Sequence, residues 1–241
     1  MSNNLSTKKA LDLYAKVEDI VGVKEASPQL YAYYLLYLQS IEFDSMLDVG
    51  CGSGDFLLQM RDALGIPEVL GIDLSTIMIQ RAKSKGLQAK SIELSKVKES
   101  FDIITAVFDM LNYLNKEELK DFLHTIENHL NPNGFFLFDI NTLYGFSEVA
   151  VGSYIVDDDH RFLTIDSEFE DGLYRSDFTL FERSAMGCYR KSQETIEQLY
   201  HSIDEITTLL PNMRLISKDS VTLYGDEADK SFLVFQKKST F

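Results

Sequence analysis

The chain has 241 residues, 45% of them apolar, enough for one sizeable core with an elaboration. No stretch approaches the ~20 apolar residues of a membrane helix. The net charge of −15 opposes nucleic-acid binding, which depends on neutralising phosphates with Lys and Arg. The opening MSNNLSTKKA has no apolar run behind its lysines and does not read as a signal peptide, so a cytoplasmic protein with no membrane association is expected. Cys51 and Cys188, and the four histidines, lack metal-ligand spacing, so no metal site is expected.

The first forty residues read as helical. Leu11, Tyr14, Val17 and Val21 recur at helical spacing, and Pro28 is expected to start a second helix through the aromatic run 30–38. A helix this apolar is expected to be buried on more than one side. From Met46 short apolar runs alternate with helical stretches. Strands are expected at 46–49, 69–73, 88–94 (weakly), 101–108 and 135–140. Helices follow the first, second and fourth of these, at about 56–64, 78–85 and from Asn115, where Glu118 completes a capping box. Asn131-Pro132-Asn133-Gly134 reads as a turn. This alternation predicts an α/β fold, a doubly wound, mostly parallel sheet with helices on both faces.

After Asn141 the pattern becomes strand-like. Residues 161–170 and 173–183 read as a hairpin around Asp171-Gly172, and 186–199 as a third strand-like segment. A helix at 202–210 and two strands, 215–223 and 231–237, close the chain. The expected organisation is a ligand-binding α/β domain from 1–144 and 201–241. An antiparallel β insertion at 145–200 would cover the carboxyl edge of the sheet.

The chemistry concentrates on Gly50-Cys51-Gly52-Ser53-Gly54. Glycines let backbone approach a ligand closely, and this loop leaves a strand and opens a helix. Asp73, at the end of the second strand, can accept both ribose hydroxyls of an adenosine. A nicotinamide or flavin dinucleotide would need a small residue at position 55, where a pyrophosphate packs, but Asp55 stands there. With Asp48 before the loop, two acids suit a cationic ligand better, and S-adenosylmethionine carries a sulfonium and an ammonium but no phosphate.

These segments resemble the class I S-adenosylmethionine-dependent methyltransferases. LDVGCGSGDF is similar to the superfamily's first motif, VLGIDLSTIMIQRAK to its second, FDIITAVFDMLNYL to the strand-four motif and LNPNGFFLFDIN to the segment through strand five. The string Asp109 to Leu114 and the acidic, aromatic insertion resemble the small bacterial YqeM-like group. The resemblance covers about residues 40–142 and the last two strands. It implies a seven-stranded, Rossmann-like methyltransferase fold and S-adenosyl-L-methionine as cofactor, with S-adenosyl-L-homocysteine as product.

Carried over by residue, the resemblance implies that Gly50, Cys51 and Gly52 line the methionine part and that Asp48 orients its amino group. Asp73 would hold the ribose, Leu74 and Met78 would flank the adenine, and Glu93 and Leu94 would meet its edge. The family usually has Asp where Glu93 stands. Phe108 would lie beside the sulfonium, and Tyr14 would reach over from the N-terminal helix.

The acceptor is expected to be a small molecule, methylated on N or O by in-line transfer. An RNA or protein methyltransferase, a nicotinamide oxidoreductase and a catalytically silent cofactor-binding protein are the alternatives. Asp109, Asn112, Tyr113, Asp139 and Asn141 fall at the ends of strands four and five. Of these, Asn112, Tyr113 and Asn141 are the expected substrate contacts, and no residue is assigned a catalytic role. Arg161, Arg175, Arg183 and Arg190 are candidates for an acceptor carboxylate or phosphate. The chain is expected to be a monomer or homodimer.

Overall fold

The computed structural model describes residues 9–239, apart from the side chains at 23 and 24. Seven strands form one sheet: β1 (Ser45–Val49), β2 (Glu68–Ile72), β3 (Ala89–Lys90), β4 (Phe101–Ala106), β5 (Leu130–Asn141), β10 (Met213–Val221) and β11 (Lys230–Lys237). Their order is β10-β11-β5-β4-β1-β2-β3, parallel from β5 to β3, with β11 antiparallel to both its neighbours. Four further strands form a separate antiparallel sheet in the order β6-β7-β8-β9: β6 (Gly152–Asp157), β7 (Arg161–Glu170), β8 (Leu173–Arg183) and β9 (Tyr189–Leu199).

Strand side chains alternate between faces, and both faces of the main sheet are apolar. Met46, Ile103, Leu137, Phe232 and Val234 pack against helices α1 (Val23–Leu38), α2 (Asp55–Leu64) and α3 (Thr76–Ser84). Their neighbours Leu47, Ile104, Phe136, Phe138, Leu233 and Phe235 pack against α4 (Lys116–His129) and α5 (Ile203–Leu209). A fully buried side chain of this kind contributes about 1.5–3 kcal/mol, so the sheet is held from both sides. Among the described residues no helix is long and apolar enough to cross a membrane.

Four local expectations are corrected. Helix α1 begins at Val23, not at Pro28, which lies inside it. Proline there forfeits one backbone bond, and burial of Leu30, Tyr34 and Leu38 along one line outweighs that loss. The helix is not apolar-buried on several sides, since Leu36 is 69% exposed. Strand β3 keeps only Ala89 and Lys90, because the chain turns into a short 3-10 helix at Leu94–Lys96 and buries Leu94 in the core. The turn expected at 131–134 survives inside β5: pairing with β4 jumps from Leu130 to Phe135, and residues 131–134, with left-handed Asn133, loop out between them. The insertion holds a fourth strand, β6. Its mostly exposed residues gave no alternating apolar signal.

The expected hairpin at Asp171-Gly172 and the capping box of Asn115 with Glu118 are both present. The inner face of the insertion sheet presents Leu163, Phe178, Leu180 and Ile196. Ala10, Leu13 and Val17, from the segment before α1, pack on that face.

Candidate active site

The glycine loop joins β1 to α2. The amides of Gly50 and Cys51 donate to the Ile72 carbonyl at 2.8 and 3.0 Å, which folds the loop against the end of β2. Gly52 has φ +51, and a β-carbon there would meet nothing within 4 Å, so the loop faces open space. At Gly54, with φ +79, a β-carbon would fall 2.5 Å from Leu87 Cδ1 and 3.1 Å from Ala82 Cβ. That glycine is required where α2 closes on α3.

Asp73 ends β2 and braces the loop. Its carboxylate accepts the Gly52 amide at 3.0 Å and the Ser75 amide at 2.7 Å, one on each oxygen. Each oxygen keeps a lone pair for a further donor. Burial pushes this carboxyl up, while the amides of Ser75, Gly52 and Leu74 pull it down. Asp48 is almost wholly buried inside β1, and burial pushes it up to about 7 against the hydrogen bond from Thr105 Oγ1 at 2.8 Å. The Cys51 thiol is likewise pushed up by burial.

Met78 is buried, in the first turn of α3. Leu74 is half-buried, and its carbonyl accepts from Ser91 Oγ at 3.2 Å. Glu93 is exposed at the start of the 3-10 helix, whereas Leu94 points into the core. The structure therefore gathers Asp48, the loop and Asp73 around the ends of β1 and β2, with Met78 in the first turn of the helix that follows Asp73.

The ends of β4 and β5 carry the most constrained backbone. Phe108 and Asp109 are consecutive non-glycine residues in the left-handed region, at φ +58 and +50. Asp139, fully buried on β5, accepts both their amides, at 2.8 and 2.9 Å, and the Tyr34 hydroxyl at 2.7 Å. Burial pushes the Asp139 carboxyl up; Lys230 and these donors oppose that.

Lys230 Nζ donates to Asp109 and to Asn141 Oδ1, the latter at 2.8 Å, and stands 3.3 Å from Asp139 Oδ2. Gln198, from β9, donates to the other Asp109 oxygen. Tyr14 and Tyr113 are pushed up, first by burial and then by the Asp109 charge, so both phenols stay protonated near neutrality. Tyr224 is pushed up to about 12, mainly by burial.

Of the expected substrate contacts, Asn112 belongs to the frame. It is fully buried, donates to the Leu199 carbonyl at 2.7 Å and accepts from the Asn141 amide at 3.0 Å. Its amide is thereby committed to joining β5, β9 and the turn between them. The four arginines are also not gathered at this edge. Arg161 binds Asp19 and Asp158, and exposed Arg175 pairs with Glu197 at 3.4 Å. Arg183 and Arg190 are exposed near the far ends of their strands.

Sequence reasoning missed Lys230, Gln198 and Tyr34. Lys230 had one legible signal: an isolated lysine opening the apolar run Phe232 to Phe235 of a strand that returns to the carboxyl edge.

The segment before α1 closes this edge. Asp12 accepts from Ser75 Oγ at 2.8 Å, and Arg81 reaches the Ala15 carbonyl at 3.1 Å and Glu18 at 2.9 Å. On the insertion side, Arg161 donates to the Lys16 carbonyl and to both Asp19 oxygens, at 2.8–2.9 Å. Tyr14 packs edge-on against Phe178, 6.3 Å between centroids.

A methyltransferase-domain family matches residues 46–134, from β1 into β5. YqeM of Bacillus subtilis, provisionally named a methyltransferase, is 26% identical over 214 residues, 81% of this chain and 85% of that protein. An S-adenosylmethionine-dependent methyltransferase structure from Clostridium acetobutylicum superposes with a TM-score of 0.72 at 24% identity, covering 96% of this chain and 98% of that one. The structure of S-adenosylmethionine-bound CalS10, an amino pentose methyltransferase from Micromonospora echinaspora, gives a TM-score of 0.68 at 18% identity, covering 95% and 97%. The open loop, the twice-braced Asp73 and the buried Asp48 suit a cationic adenosyl group. Residues 46–134 thus match a methyltransferase domain, and the chain as a whole is similar to YqeM and shares the fold of these S-adenosylmethionine-dependent methyltransferases.

Proposed function

We propose that the chain methylates a nitrogen of a small-molecule amine. The observation that carries this is the setting of Asp109. A carboxylate lies among protonated phenols at the end of β4, beneath the insertion sheet and the segment before α1. The nearby cation, Lys230, is already shared between two acids, so the surroundings favour a positive acceptor over an anionic one. The covered edge favours a small molecule over a length of RNA or protein. An amino sugar is the substrate class named for CalS10.

Asp73 would hold the ribose hydroxyls on its two remaining lone pairs, and Asp48 would face the cofactor's amino group. Gly50, Cys51 and Gly52 would follow the methionine part. Leu74 and Met78 would flank the adenine, with Glu93 and Leu94 toward its edge. Phe108 and Tyr14 would close over the sulfur. When bound, S-adenosylmethionine supplies a methyl carbon whose bond to sulfur breaks with its electron pair going to sulfur.

The residues of this chain align the acceptor and exclude water, which together can supply several kcal/mol without a strong base. Asp109 would hold the acceptor as an ammonium and accept the proton that must leave before the nitrogen lone pair attacks. Tyr113 would hydrogen-bond the acceptor, and Asn141 would act on it through Lys230. The insertion at 145–200 would serve as roof.

Methyl-labelled S-adenosylmethionine, incubated with metabolite, RNA and protein fractions, tests this. Label should enter the metabolite fraction and be lost when amines are acetylated beforehand. Label in RNA or protein, or in acetylation-resistant metabolites, overturns the reading.

A further inference from the structure

Lys230 is 3% exposed, a burial that lysine tolerates only when paired. It opens β11, and its register opposite Asn141 puts it at the carboxyl edge of the sheet. An ammonium has three hydrogens, and three acceptors surround this one: Asp109, Asn141 and Asp139. It hydrogen-bonds Asp109 and Asn141 and pairs by charge with Asp139, so it is committed to these partners.

Those partners lead to the proposed acceptor position. Asp139 holds the left-handed Phe108-Asp109 turn by its amides. Lys230 ties that same carboxylate to the Asp109 side chain, while Gln198 fixes the other Asp109 oxygen from the insertion sheet. Tyr14, Tyr34, Tyr113 and Tyr224 face Asp109, and Tyr224 also faces Lys230. Burial pushes all four phenols up, so the charge of the cluster is set by one ammonium and two carboxylates.

We propose that Lys230 is a positioning residue for methyl transfer: its ammonium bridges Asp139 to Asp109 and fixes the Asp109 carboxylate against the acceptor nitrogen. The bridge follows from the contacts; its use in aiming at a nitrogen rests on the amine reading above. Without the ammonium, two buried carboxylates face each other uncompensated, and one of them takes up a proton. If that proton goes to Asp139, it competes with the two turn amides. If it goes to Asp109, the acceptor's counter-charge is lost.

The test is a pH titration of carboxyl carbons in aspartate-labelled protein bound to S-adenosylhomocysteine, comparing wild type, Lys230→Met and Lys230→Arg by NMR. In Lys230→Met one carboxyl midpoint should rise by at least about one unit, as expected for closely apposed carboxylates. The acid limb of kcat/KM for the acceptor should move up with it, while S-adenosylhomocysteine affinity stays within about threefold of wild type. Lys230→Arg should titrate like wild type and recover on the order of tenfold in kcat/KM over Lys230→Met.

An unchanged titration in Lys230→Met overturns the bridge, and lost activity with an unmoved acid limb overturns the positioning role. Should Lys230→Met not fold, Asp109→Asn decides: acceptor KM should rise on the order of tenfold with cofactor affinity kept, and an unchanged KM overturns the proposal. The NMR arm needs no acceptor. An oxygen acceptor would therefore refute the amine reading while the titration still judged the bridge.

Discussion

Asp139 accepts the backbone amide of Asp109 at 2.9 Å, so one acid holds the main chain of another at the carboxyl edge of the sheet. Left-handed backbone costs a non-glycine residue roughly 1–2 kcal/mol, and two such residues stand in a row here. The carboxylate offsets that cost because it accepts both amides and the Tyr34 hydroxyl. Asp139→Asn replaces one accepting oxygen by a donor and leaves a buried amide or hydroxyl unpaired. Stability should fall by about 1–3 kcal/mol in urea unfolding. Stability equal to wild type would show that the turn holds without the carboxylate.

Asp48 makes a pH-dependent contribution of known sign. Its folded value, about 7, lies above the ordinary carboxyl value, so the folded state binds the proton more tightly than the unfolded chain. The contribution of Asp48 to stability is therefore largest in acid and declines as pH rises through the window from about 4 to about 7. Asp48→Asn removes the buried charge and can keep the Thr105 hydrogen bond. In cofactor-free protein, the melting-temperature difference, variant minus wild type, should grow from pH 5 to pH 8. A difference independent of pH would show that Asp48 does not titrate there.

Asp73 should matter for the cofactor more than for folding. Asp73→Asn retains one carbonyl oxygen for a loop amide but loses the charge and one acceptor. Calorimetry should show S-adenosylhomocysteine binding weakened on the order of 10- to 100-fold, the loss of one or two charge-assisted hydrogen bonds. Affinity within twofold of wild type would remove Asp73 from the ribose site.

Gly54→Ala tests the packing of the loop. The added carbon would sit 2.5 Å from Leu87 Cδ1, on backbone already at φ +79. Combining left-handed strain with overpacking, the loss should be about 2–4 kcal/mol in chemical denaturation. Gly52→Ala, with open space at its β-carbon, meets only the backbone strain and should lose less than Gly54→Ala.

Much of the fold was legible because each signal was local. The Asn115–Glu118 box, the Asp171-Gly172 turn and the alternation of Met46/Leu47 and Ile103/Ile104 report their own backbone state within a few residues. The glycine loop with Asp73 was legible for the same reason, as one strand–loop–helix–strand unit. Strand β6 was not, because an exposed edge strand needs no apolar alternation.

The sequence by itself determined the α/β class, the methyl donor and the acids around the loop, all set by short-range pattern and residue chemistry. Only the tertiary structure decided which polar groups meet at the end of β4. Lys230 lies 121 residues from Asp109, and Gln198 lies 89 away. No periodicity encodes such a meeting; it follows from the antiparallel return of β11 and the docking of the insertion sheet. The same docking commits Asn112 to the frame, where the sequence reading had it facing substrate. A polar side chain beside a strand end reads alike in sequence whether it faces a ligand or closes a buried hydrogen-bond network, and only the position of its distant partners separates the two.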